Sequence, residues 1–321
     1  MTAASLAPRP RFAFVAGALD RADALRDHPE ALRGHWPNAQ VLVIDAEGRT
    51  RARGGVDAGL LALSGQALGD GAGPSADGLV ERAVFLGMAG DGAWFALPAD
   101  ALADASAEAR AAWEAGQPID LRAAAAVWPA VEATAFAQAR AVLHWRARHR
   151  YCPSCAGALR YGRGGWLGHC DGCGLDHYPR TDPAVIVAIT DGERLLLGRQ
   201  ASWPARRYST LAGFVEPGET LEQAIAREVM EESGVRVRRS RYLGSQPWPF
   251  PSSLMLGFVA EAEPDAPQAD QELEDVRWFH RDEVGAALRG ETVDDGLLLS
   301  PSVSISRWLI EAWYAGVAVD G

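Results

Sequence analysis

The chain has 321 residues, 48% of them hydrophobic and 23% charged, a composition typical of globular proteins with room for two or three compact domains. Its formal net charge of −11 repels phosphate-rich ligands, so these would have to bind through metal ions or a local basic patch. The sequence contains no apolar run of 18 residues and no signal-peptide pattern, so we expect a cytoplasmic protein without a membrane-spanning helix.

Residues 1–148 are predicted to form an N-terminal α/β domain. Its strand-like runs are RFAFVAGA, AQVLVIDAEG, RAVFLGMAG and AWFALP, and its helical runs are ALADASAEARAAWEAG and VEATAFAQARAVLHWRARHR. Glycine-rich stretches near residues 54–78 are predicted to be loops that are too irregular to form a phosphate-binding motif.

A basic segment without Asp or Glu runs from Ala133 to Cys170. A patch of this kind can attract phosphate groups. The favoured interpretation is a helix-and-ribbon surface that balances acidic neighbours elsewhere. The segment includes six arginines: Arg140, Arg146, Arg148, Arg150, Arg160 and Arg163.

Residues 149–180 are predicted to form a zinc ribbon, because two CxxC pairs lie 14 residues apart. Four thiolates leave no open position on zinc, so we expect one structural Zn²⁺ per chain. Two disulfides or a redox motif are the alternatives, and a reducing cytoplasm disfavours the disulfides. His169 and His177 are expected to be surface residues rather than ligands. The four predicted ligands are Cys152, Cys155, Cys170 and Cys173.

Residues 181–321 are predicted to form the third domain. Pro183 precedes AVIVAIT, a β-branched run typical of a buried strand, and Asp191 and Gly192 turn the chain into a return strand, RLLLGR. Further strands fit RVRRSRYLGSQPW, SLMLGFVAEAE and EDVRWFH, and an amphipathic helix fits SISRWLIEAWYAG.

The segment GFVEPGETLEQAIAREVMEESGV indicates the chemistry. A turn leads into a predicted helix over about residues 219–233. Glu228 and Glu232 continue the apolar stripe of this helix, with Glu231 beside them. Clustered carboxylates repel one another and are costly to bury, and a Mg²⁺ or Mn²⁺ ion shared with substrate phosphates would remove both objections. A solvated acidic helix face is the alternative.

The spacing of this segment resembles the Nudix box: Gly213, five residues, Glu219, seven residues, and then REVMEESGV. The resemblance implies an α+β fold, a Nudix α/β/α sandwich with a mixed sheet, preceded here by the ribbon and the N-terminal α/β domain. It also implies metal-assisted hydrolysis of a nucleoside diphosphate linked to another group. The candidate catalytic residues are Arg227, Glu228, Glu231 and Glu232.

A second motif, SQPWPFPSS, narrows the substrate class. Its prolines predict a stiff extended loop that cannot join the centre of a sheet, and a rigid packed loop without a ligand is the alternative. Together with the upstream ribbon, the motif resembles the signature of NADH pyrophosphatases, and the resemblance covers about residues 150–280. Its candidate substrate-binding residues are Gln246, Pro247, Trp248, Pro249, Phe250, Pro251, Ser252 and Ser253.

This resemblance implies hydrolysis of NAD(H) to nicotinamide mononucleotide and AMP, extending to removal of an NAD cap from RNA, by a homodimer. It points to Phe214 and Tyr178 as rings that stack on the nicotinamide, with a core position for Phe214 as the alternative. The resemblance also implies that Ser306 occupies a position that contributes a backbone contact in the family. It implies that Arg122 corresponds to an arginine that contacts phosphate or substrate.

The predicted Mg²⁺ or Mn²⁺ ligands are three box glutamates and one glutamate further along the chain, whose register is open because Glu274 and Asp275 are its neighbours. We expect Glu219 to pair with the box arginine and brace the loop against the helix. Either of the last two box glutamates could be the general base. The four predicted ligands are Glu228, Glu231, Glu232 and Glu272.

Two other functions remain open at this point. A broader dinucleotide or ADP-ribose pyrophosphatase would use the same box, although the SQPWPFP segment argues against it. A zinc-ribbon module that binds RNA without catalysis is disfavoured by the intact box glutamates and by the charge of −11.

Overall fold

A computed structural model describes residues 12–17, 19–69, 74–291 and 296–319. It divides into two compact units. The N-terminal unit contains residues 13–181 together with Pro249–Ser252, and the C-terminal unit contains Phe12, Asp182–Trp248 and the described residues from Ser253 onwards. In the described ranges, no helix is long and apolar enough to cross a membrane.

In the N-terminal unit, a sheet with strand order β3-β1-β5-β4 is built around a parallel pair, β1 and β5. The strands are β1 Gln40–Ile44, β2 Thr50–Ala52, β3 Leu63–Ser64, β4 Val84–Ala89, β5 Gly92–Pro98 and β6 Gln117–Ile119. The helices are α1 Pro29–His35, α2 Gly65–Leu68, α3 Pro74–Arg82, α4 Ala107–Glu114, α5 Leu121–Val127 and α6 Ala130–Arg148.

Both faces of this sheet are buried, which explains the continuous apolar runs of its strands. Leu42 and Ile44 of β1 pack in one cluster with Phe136 of α6. The intervening Val43 packs on the opposite face with Trp113 of α4. The predicted α/β layering of this region therefore agrees with the structure.

Two local predictions for this region are wrong. The run RFAFVAGA is not a strand in the described residues 12–17, because Phe14 (φ 70°) and Gly17 (φ 68°) adopt left-handed conformations. Residues 54–78 are not loops throughout, since α2 and the start of α3 lie there. The Ser64 side chain caps α2, accepting from the Ala67 amide at 3.1 Å, and Pro74 is well suited to a helix start.

The predicted ribbon forms an antiparallel sheet of β7 Leu159–Gly162, β8 Leu167–Cys170 and β9 Asp176–His177. The first CxxC pair precedes β7, and the second pair begins at the end of β8. The sharp turn after the second pair uses Gly174, which has a φ of 75°. The four thiols are therefore held by two turns that the same small sheet supports.

In the C-terminal unit, a mixed sheet has the strand order β14-β15-β10-β11-β16, with β13 paired to β10. Only β10 and β15 run parallel among these pairs. The strands are β10 Asp182–Thr190, β11 Arg194–Arg199, β12 Arg207–Tyr208, β13 Leu211–Phe214, β14 Val237–Trp248, β15 Ser253–Ala262, β16 Asp275–His280 and β17 Leu298–Leu299, and the helices are α7 Leu221–Ser233, α8 Arg281–Arg289 and α9 Ile305–Tyr314.

Helices cover both faces of this sheet, as predicted for an α/β/α sandwich. Ile186 of β10 packs with Trp308 and Leu309 of α9, and Val187, which points to the other face, packs with Ile225 of α7. The predicted hairpin of β10 and β11 and the predicted box and terminal helices are confirmed.

Only the second half of the SQPWPFP motif is the predicted loop, because its first four residues end the strand that was predicted over RVRRSRYLGSQPW. Residues 245–248 belong to β14 and pair with β15 down to Trp248 opposite Ser253. β14 is an edge strand, where Pro247 is tolerated because one side of the strand needs no ladder hydrogen bonds. The prediction that the prolines stay out of the sheet centre is therefore correct, and the turn is confined to Pro249–Ser252.

Candidate active site and metal sites

The box begins where β13 meets α7. The Thr220 side chain caps the helix reciprocally with Gln223, and Gly234 ends it with a left-handed φ of 68°. A Cβ on Gly213 would lie 1.8 Å from the Cδ of Glu228. The glycine therefore allows the Glu228 carboxylate of α7 to lie directly against the backbone of β13.

Arg227 organises the start of the site. Its Nε donates to Glu219 Oε1 at 2.6 Å, and its Nη2 donates to the Phe214 carbonyl at 3.0 Å. Its Nη1 lies 3.0 Å from Glu228 and 2.9 Å from Glu231. The guanidinium holds the pKa of Glu219 down to about 2. The brace predicted between Glu219 and Arg227 is present and ties the loop to the helix.

Glu232 is the unusual carboxylate of the helix. It is 5% exposed, and its Oε2 has no hydrogen-bond partner among the described residues. Burial, together with the negative charges of Glu272 and Glu228, raises its pKa to about 8. Burial also raises the pKa of Glu228. A solvated acidic helix face would not contain a buried carboxylate, so that alternative is wrong for Glu232.

The two neighbours of Glu272 that left its register open are both engaged elsewhere, so Glu272 stays the predicted fourth acid. Glu274 pairs with Arg199, and Asp275 accepts a hydrogen bond from the Tyr208 hydroxyl. Glu272, in contrast, is exposed and acts on Glu232 more strongly than any other charge does.

Asp270 is a further acid near this site that the sequence analysis missed. It also raises the pKa of Glu232, and it accepts hydrogen bonds from the amides of Glu272 and Leu273 at 2.9 and 3.1 Å. It therefore shapes the turn that carries Glu272. The sequence alone could have indicated Asp270, because it stands two residues before the predicted ligand Glu272.

The environment of Glu232 suits a ligand of a divalent cation. The unpartnered oxygen of Glu232 is a hard ligand, and its burial among like charges is unfavourable unless a cation or a proton is present. Arg227 contacts Glu219, Glu228 and Glu231 but has no recorded bond to Glu232. Glu232 is therefore suited to be a ligand of a hard metal ion, and the four-glutamate site predicted from the sequence remains a prediction.

The four cysteines form a second, separate cluster. Their sulfur atoms all lie within 4.8 Å of one another, with Cys152 and Cys173 3.6 Å apart and Cys155 and Cys170 3.4 Å apart. A tetrahedral zinc with Zn–S bonds of about 2.3 Å requires sulfur separations of roughly 3.8 Å. All four thiols are free, so the disulfide alternative does not describe this arrangement.

The pKa values of two of these thiols are shifted in opposite directions. The Cys173 amide, which donates to the Cys170 sulfur, lowers the pKa of Cys170 to about 7. The Leu175 amide lowers the pKa of Cys173, but hydrogen bonds with the neighbouring thiols outweigh it and raise that pKa to about 12. Four thiolates cannot coexist so closely without a cation, and zinc supplies the compensating charge.

Phe214 and Tyr178 are both exposed, at 59% and 57%. The alternative that Phe214 is a core residue is therefore wrong. Phe214 ends β13, next to the contact between Gly213 and Glu228, and Tyr178 directly follows β9. Both rings are accessible to a flat ligand.

Gln246 and Ser306 lie in the interior of the C-terminal unit. The Gln246 side chain is fully buried; it donates to the Val303 carbonyl and accepts from the Ile305 amide, each at 2.8 Å. The Ser306 hydroxyl accepts from the Thr210 amide at 3.2 Å. Both side chains thus fix the start of α9, and their predicted contacts with substrate remain predictions.

Arg122 and Arg140 contact the turn of the SQPWPFP motif. Their guanidinium groups lie 4.0 and 4.8 Å from the centre of the Phe250 ring, and Arg140 also donates to the Pro249 carbonyl. The predicted phosphate or substrate contact of Arg122 remains a prediction, and its observed contact is with Phe250.

Most arginines of the acid-free segment have partners within the fold. Arg146 donates to the carbonyls of Arg82 and Ala83, Arg160 pairs with Asp171, and Arg163 pairs with Asp23 and Asp27. The interpretation of this segment as a surface that balances acidic neighbours therefore holds for Arg160 and Arg163, whose partners are acids.

The mixed sheet, the box helix and its carboxylates together define a Nudix hydrolase. Residues 180–299 match the NUDIX domain, and residues 38–145 match the NADH pyrophosphatase-like rudimentary NUDIX domain. The chain belongs to the NudC, or NADH pyrophosphatase-like, family of Nudix hydrolases.

Three relatives illustrate this membership. Proteins named NAD-capped RNA hydrolase NudC from Mycobacterium bovis and Mycobacterium tuberculosis are each 39% identical over 306 residues, which is 92% of this chain and 92% of theirs. The human NAD-capped RNA hydrolase NUDT12 is 43% identical over 194 residues, which is 57% of this chain and 42% of the human protein.

Proposed function

We propose that this protein hydrolyses the diphosphate of NAD(H) to nicotinamide mononucleotide and AMP, with Mg²⁺ or Mn²⁺ bound by Glu228, Glu231, Glu232 and Glu272. The observation that carries the proposal is the buried Glu232 carboxylate, with one oxygen unpartnered among like charges. Hard carboxylate ligands next to a substrate diphosphate are the usual setting for these ions.

A bound divalent ion would neutralise the diphosphate and make the attacking water more acidic. The residues of the chain orient this chemistry. Glu231 is exposed, so water can reach its carboxylate, and we assign it the general-base role rather than Glu232. Arg227 acts as a positioning residue, since its guanidinium joins Glu219, Glu228 and Glu231.

For substrate selection, we propose that Phe214 and Tyr178 stack on the nicotinamide. The exposure of both rings supports this assignment. We assign the backbone near Ser306 and the SQPWPFP turn to the substrate site as well. Gln246 would act there indirectly, because its amide holds the Val303–Ile305 backbone.

We propose that the four cysteines bind one structural zinc per chain. Their spacing suits tetrahedral coordination, and two of them are buried. All four positions on the metal would then be filled by protein, so this zinc would stabilise the ribbon and take no part in hydrolysis.

A second substrate, NAD-capped RNA, is favoured by the names of the relatives, which are NAD-capped RNA hydrolases. In such RNA the same diphosphate joins the nicotinamide nucleotide to the first adenosine. We also propose a homodimer, which sedimentation equilibrium of the full chain tests directly.

The central experiment is a product assay with NADH, NAD⁺, ADP-ribose and NAD-capped RNA, each with Mg²⁺ and with Mn²⁺. We expect reduced nicotinamide mononucleotide and AMP from NADH, nicotinamide mononucleotide and AMP from NAD⁺, and 5′-phosphorylated RNA from the capped substrate. Faster cleavage of ADP-ribose than of NADH would instead support a broader pyrophosphatase. Absence of cleavage with either metal would contradict the proposed activity.

A further inference from the structure

A cavity of about 390 Å³ lies in the N-terminal unit, and none of its lining residues is among those assigned to hydrolysis above. It is located at the carboxyl ends of the parallel strands β1 and β5, with α6 forming one wall. The crevice beyond the carboxyl ends of parallel strands is a common place for ligands in α/β folds. Its volume is within the range of small-molecule sites.

The α6 wall carries a row of cationic or basic side chains. Arg140, His144 and Arg148 are spaced four residues apart, so they lie on one face of the helix, and all three line the cavity. Within the described ranges, none of the three forms an ion pair with a carboxylate. Burial lowers the pKa of His144, and the positive charges of Arg148 and Arg140 lower it further. The wall therefore has a positive potential without a bound counter-ion from the protein.

Part of this row has a structural role. Arg148 lies in the last turn of α6, where a cation offsets the helix dipole. Arg140 also donates to the Pro249 carbonyl. His144 lies one turn from each of them, and its ring lines the cavity without a recorded hydrogen bond in the described part of the chain. The helix dipole therefore accounts for Arg148 but not for Arg140 or His144.

The acids on the other side of the cavity have arginine partners of their own. Asp45 and Glu47 pair with Arg49 at 3.1 and 3.2 Å, and Asp100 pairs with Arg82 at 3.1 Å. Neither arginine lines the cavity. The carboxylates are therefore paired with these arginines rather than with the α6 row, and their oxygens can still accept hydrogen bonds from the hydroxyl groups of a ligand.

We propose that this cavity binds a phosphomonoester of nucleotide size, in particular a nucleoside 5′-monophosphate. The phosphate would bind at His144 and Arg148, the ribose hydroxyls would donate to the carboxylates opposite, and the ring would pack on Ile44 and Leu143. This site goes beyond the diphosphate chemistry proposed above, since it would bind its ligand without cleaving it.

The test uses the full chain with ring-¹³C histidine, AMP as the probe and no added divalent ion. The His144 resonance, assigned by its loss in His144→Gln, is followed by NMR. We expect it to shift and saturate at millimolar AMP, and to remain in place with adenosine, which has no phosphate. This resonance reports on the cavity itself, so AMP bound at the Nudix site would not produce the signal.

Two charge reversals provide the matched comparison. Arg148→Glu should weaken AMP binding by about tenfold or more, because it removes a charge-assisted contact. Arg150→Glu makes the same charge change on an exposed residue outside the cavity and should alter the affinity by no more than about twofold. Arg148→Gln should also weaken AMP binding. The resonances of the other histidines check that each variant is folded.

Three results would overturn the site. The first is a His144 resonance that does not move with millimolar AMP. The second is an equal shift with adenosine, which would show that the cavity recognises the nucleoside and not its phosphate. The third is an equal loss of AMP affinity in Arg148→Glu and Arg150→Glu, which would show that AMP responds to the overall charge of the protein rather than to a contact with Arg148. Each outcome is independent of whether NADH is hydrolysed.

Discussion

Gly213 and Glu228 are in such close contact that a Cβ at position 213 would overlap the Glu228 carboxylate, 1.8 Å from its Cδ. The glycine is needed here because it has no Cβ. Backbone conformation does not require it, since Gly213 has no left-handed φ. The contact fixes a carboxylate of α7 against the end of β13, beside the exposed Phe214 ring. The first glycine of the box is therefore a packing requirement of the proposed metal site.

Gly213→Ala should displace the Glu228 carboxylate while leaving the fold intact. We expect kcat to fall by roughly 10–10²-fold, because a displacement of about 1 Å at a catalytic site can have that effect. The concentration of Mg²⁺ needed for half-maximal rate should rise. Gly34→Ala, at a helical position with open space around it, is the control and should leave both values unchanged. Unchanged metal dependence in Gly213→Ala would remove Glu228 from the metal site.

Glu232→Gln should abolish most hydrolysis, by a factor on the order of 10²–10³, if its carboxylate binds the metal. Glu222→Gln, which alters an exposed acid in the first turn of the same helix, is the matched control and should retain normal turnover. Near-normal rates in Glu232→Gln would contradict the proposed metal site.

For the same variant, we predict that the difference from the wild type in the free energy of unfolding depends on pH when no Mg²⁺ or Mn²⁺ is added. The folded-state pKa of Glu232 is raised to about 8, so its protonated form contributes stability that is fully present below the unfolded-state value, about 4.3. That contribution is lost as the pH rises through about 8. Glu232→Gln should therefore match the wild type near pH 4 and exceed it by roughly 1–3 kcal/mol near pH 9.

Thermal unfolding at several pH values measures this difference. Saturating Mg²⁺ should reverse the order, because the ion stabilises only the protein that binds it. A difference in stability that does not change with pH would show that Glu232 is not the titrating group.

Much of the fold and the site could be predicted because spacing alone carries the information. The box places Glu228 and Glu232 one turn apart on any helix, and the CxxC pairs bring four sulfurs together wherever both turns form. The burial of Glu232 could not be predicted, since it depends on how α7 packs on the sheet. The role of Asp270 depends on the conformation of a segment without regular structure.

Other errors also arise from tertiary contacts. The run from Arg11 to Ala18 has the composition of a strand, but its described part is bent by Phe14 and Gly17, and Phe12 packs edge-on against Trp308 at 5.3 Å. The apolar pattern predicted the burial of Phe12 and Phe14 but not the exposure of Val15, and tertiary contacts determined the backbone conformation. Likewise, the prolines near Pro247 correctly excluded the centre of the sheet but could not show that an edge position was available.

Elemental analysis should find one Zn²⁺ per chain, and Cys152→Ser should lose it. Because a structural zinc contributes directly to folding, we expect the melting temperature to fall by on the order of 10 °C. Ser154→Ala, between the first two cysteines, should retain the metal and the wild-type melting temperature. Protein purified under reducing conditions that contained two disulfides and no zinc would contradict this prediction.

Substrate choice is the final prediction, and it depends on the exposed ring of Phe214. The oxidised nicotinamide is flat and cationic, so cation–π attraction alone would favour NAD⁺, whereas the reduced ring is neutral and slightly puckered. We nevertheless expect a higher kcat/KM for NADH, because the fit against Phe214 and Tyr178 and beside the SQPWPFP turn outweighs that attraction.

Phe214→Ala should lower kcat/KM for both substrates and narrow the gap between them. Losing one ring contact corresponds to on the order of 1 kcal/mol, or several-fold in kcat/KM. Tyr242→Ala, which removes another half-exposed ring of the same unit, is the control and should leave the ratio of the two substrates unchanged. Because Phe214 is 59% exposed, its removal should have little effect on stability, so a fall in activity can be attributed to the substrate. Unchanged NADH kinetics in Phe214→Ala would place the nicotinamide site elsewhere.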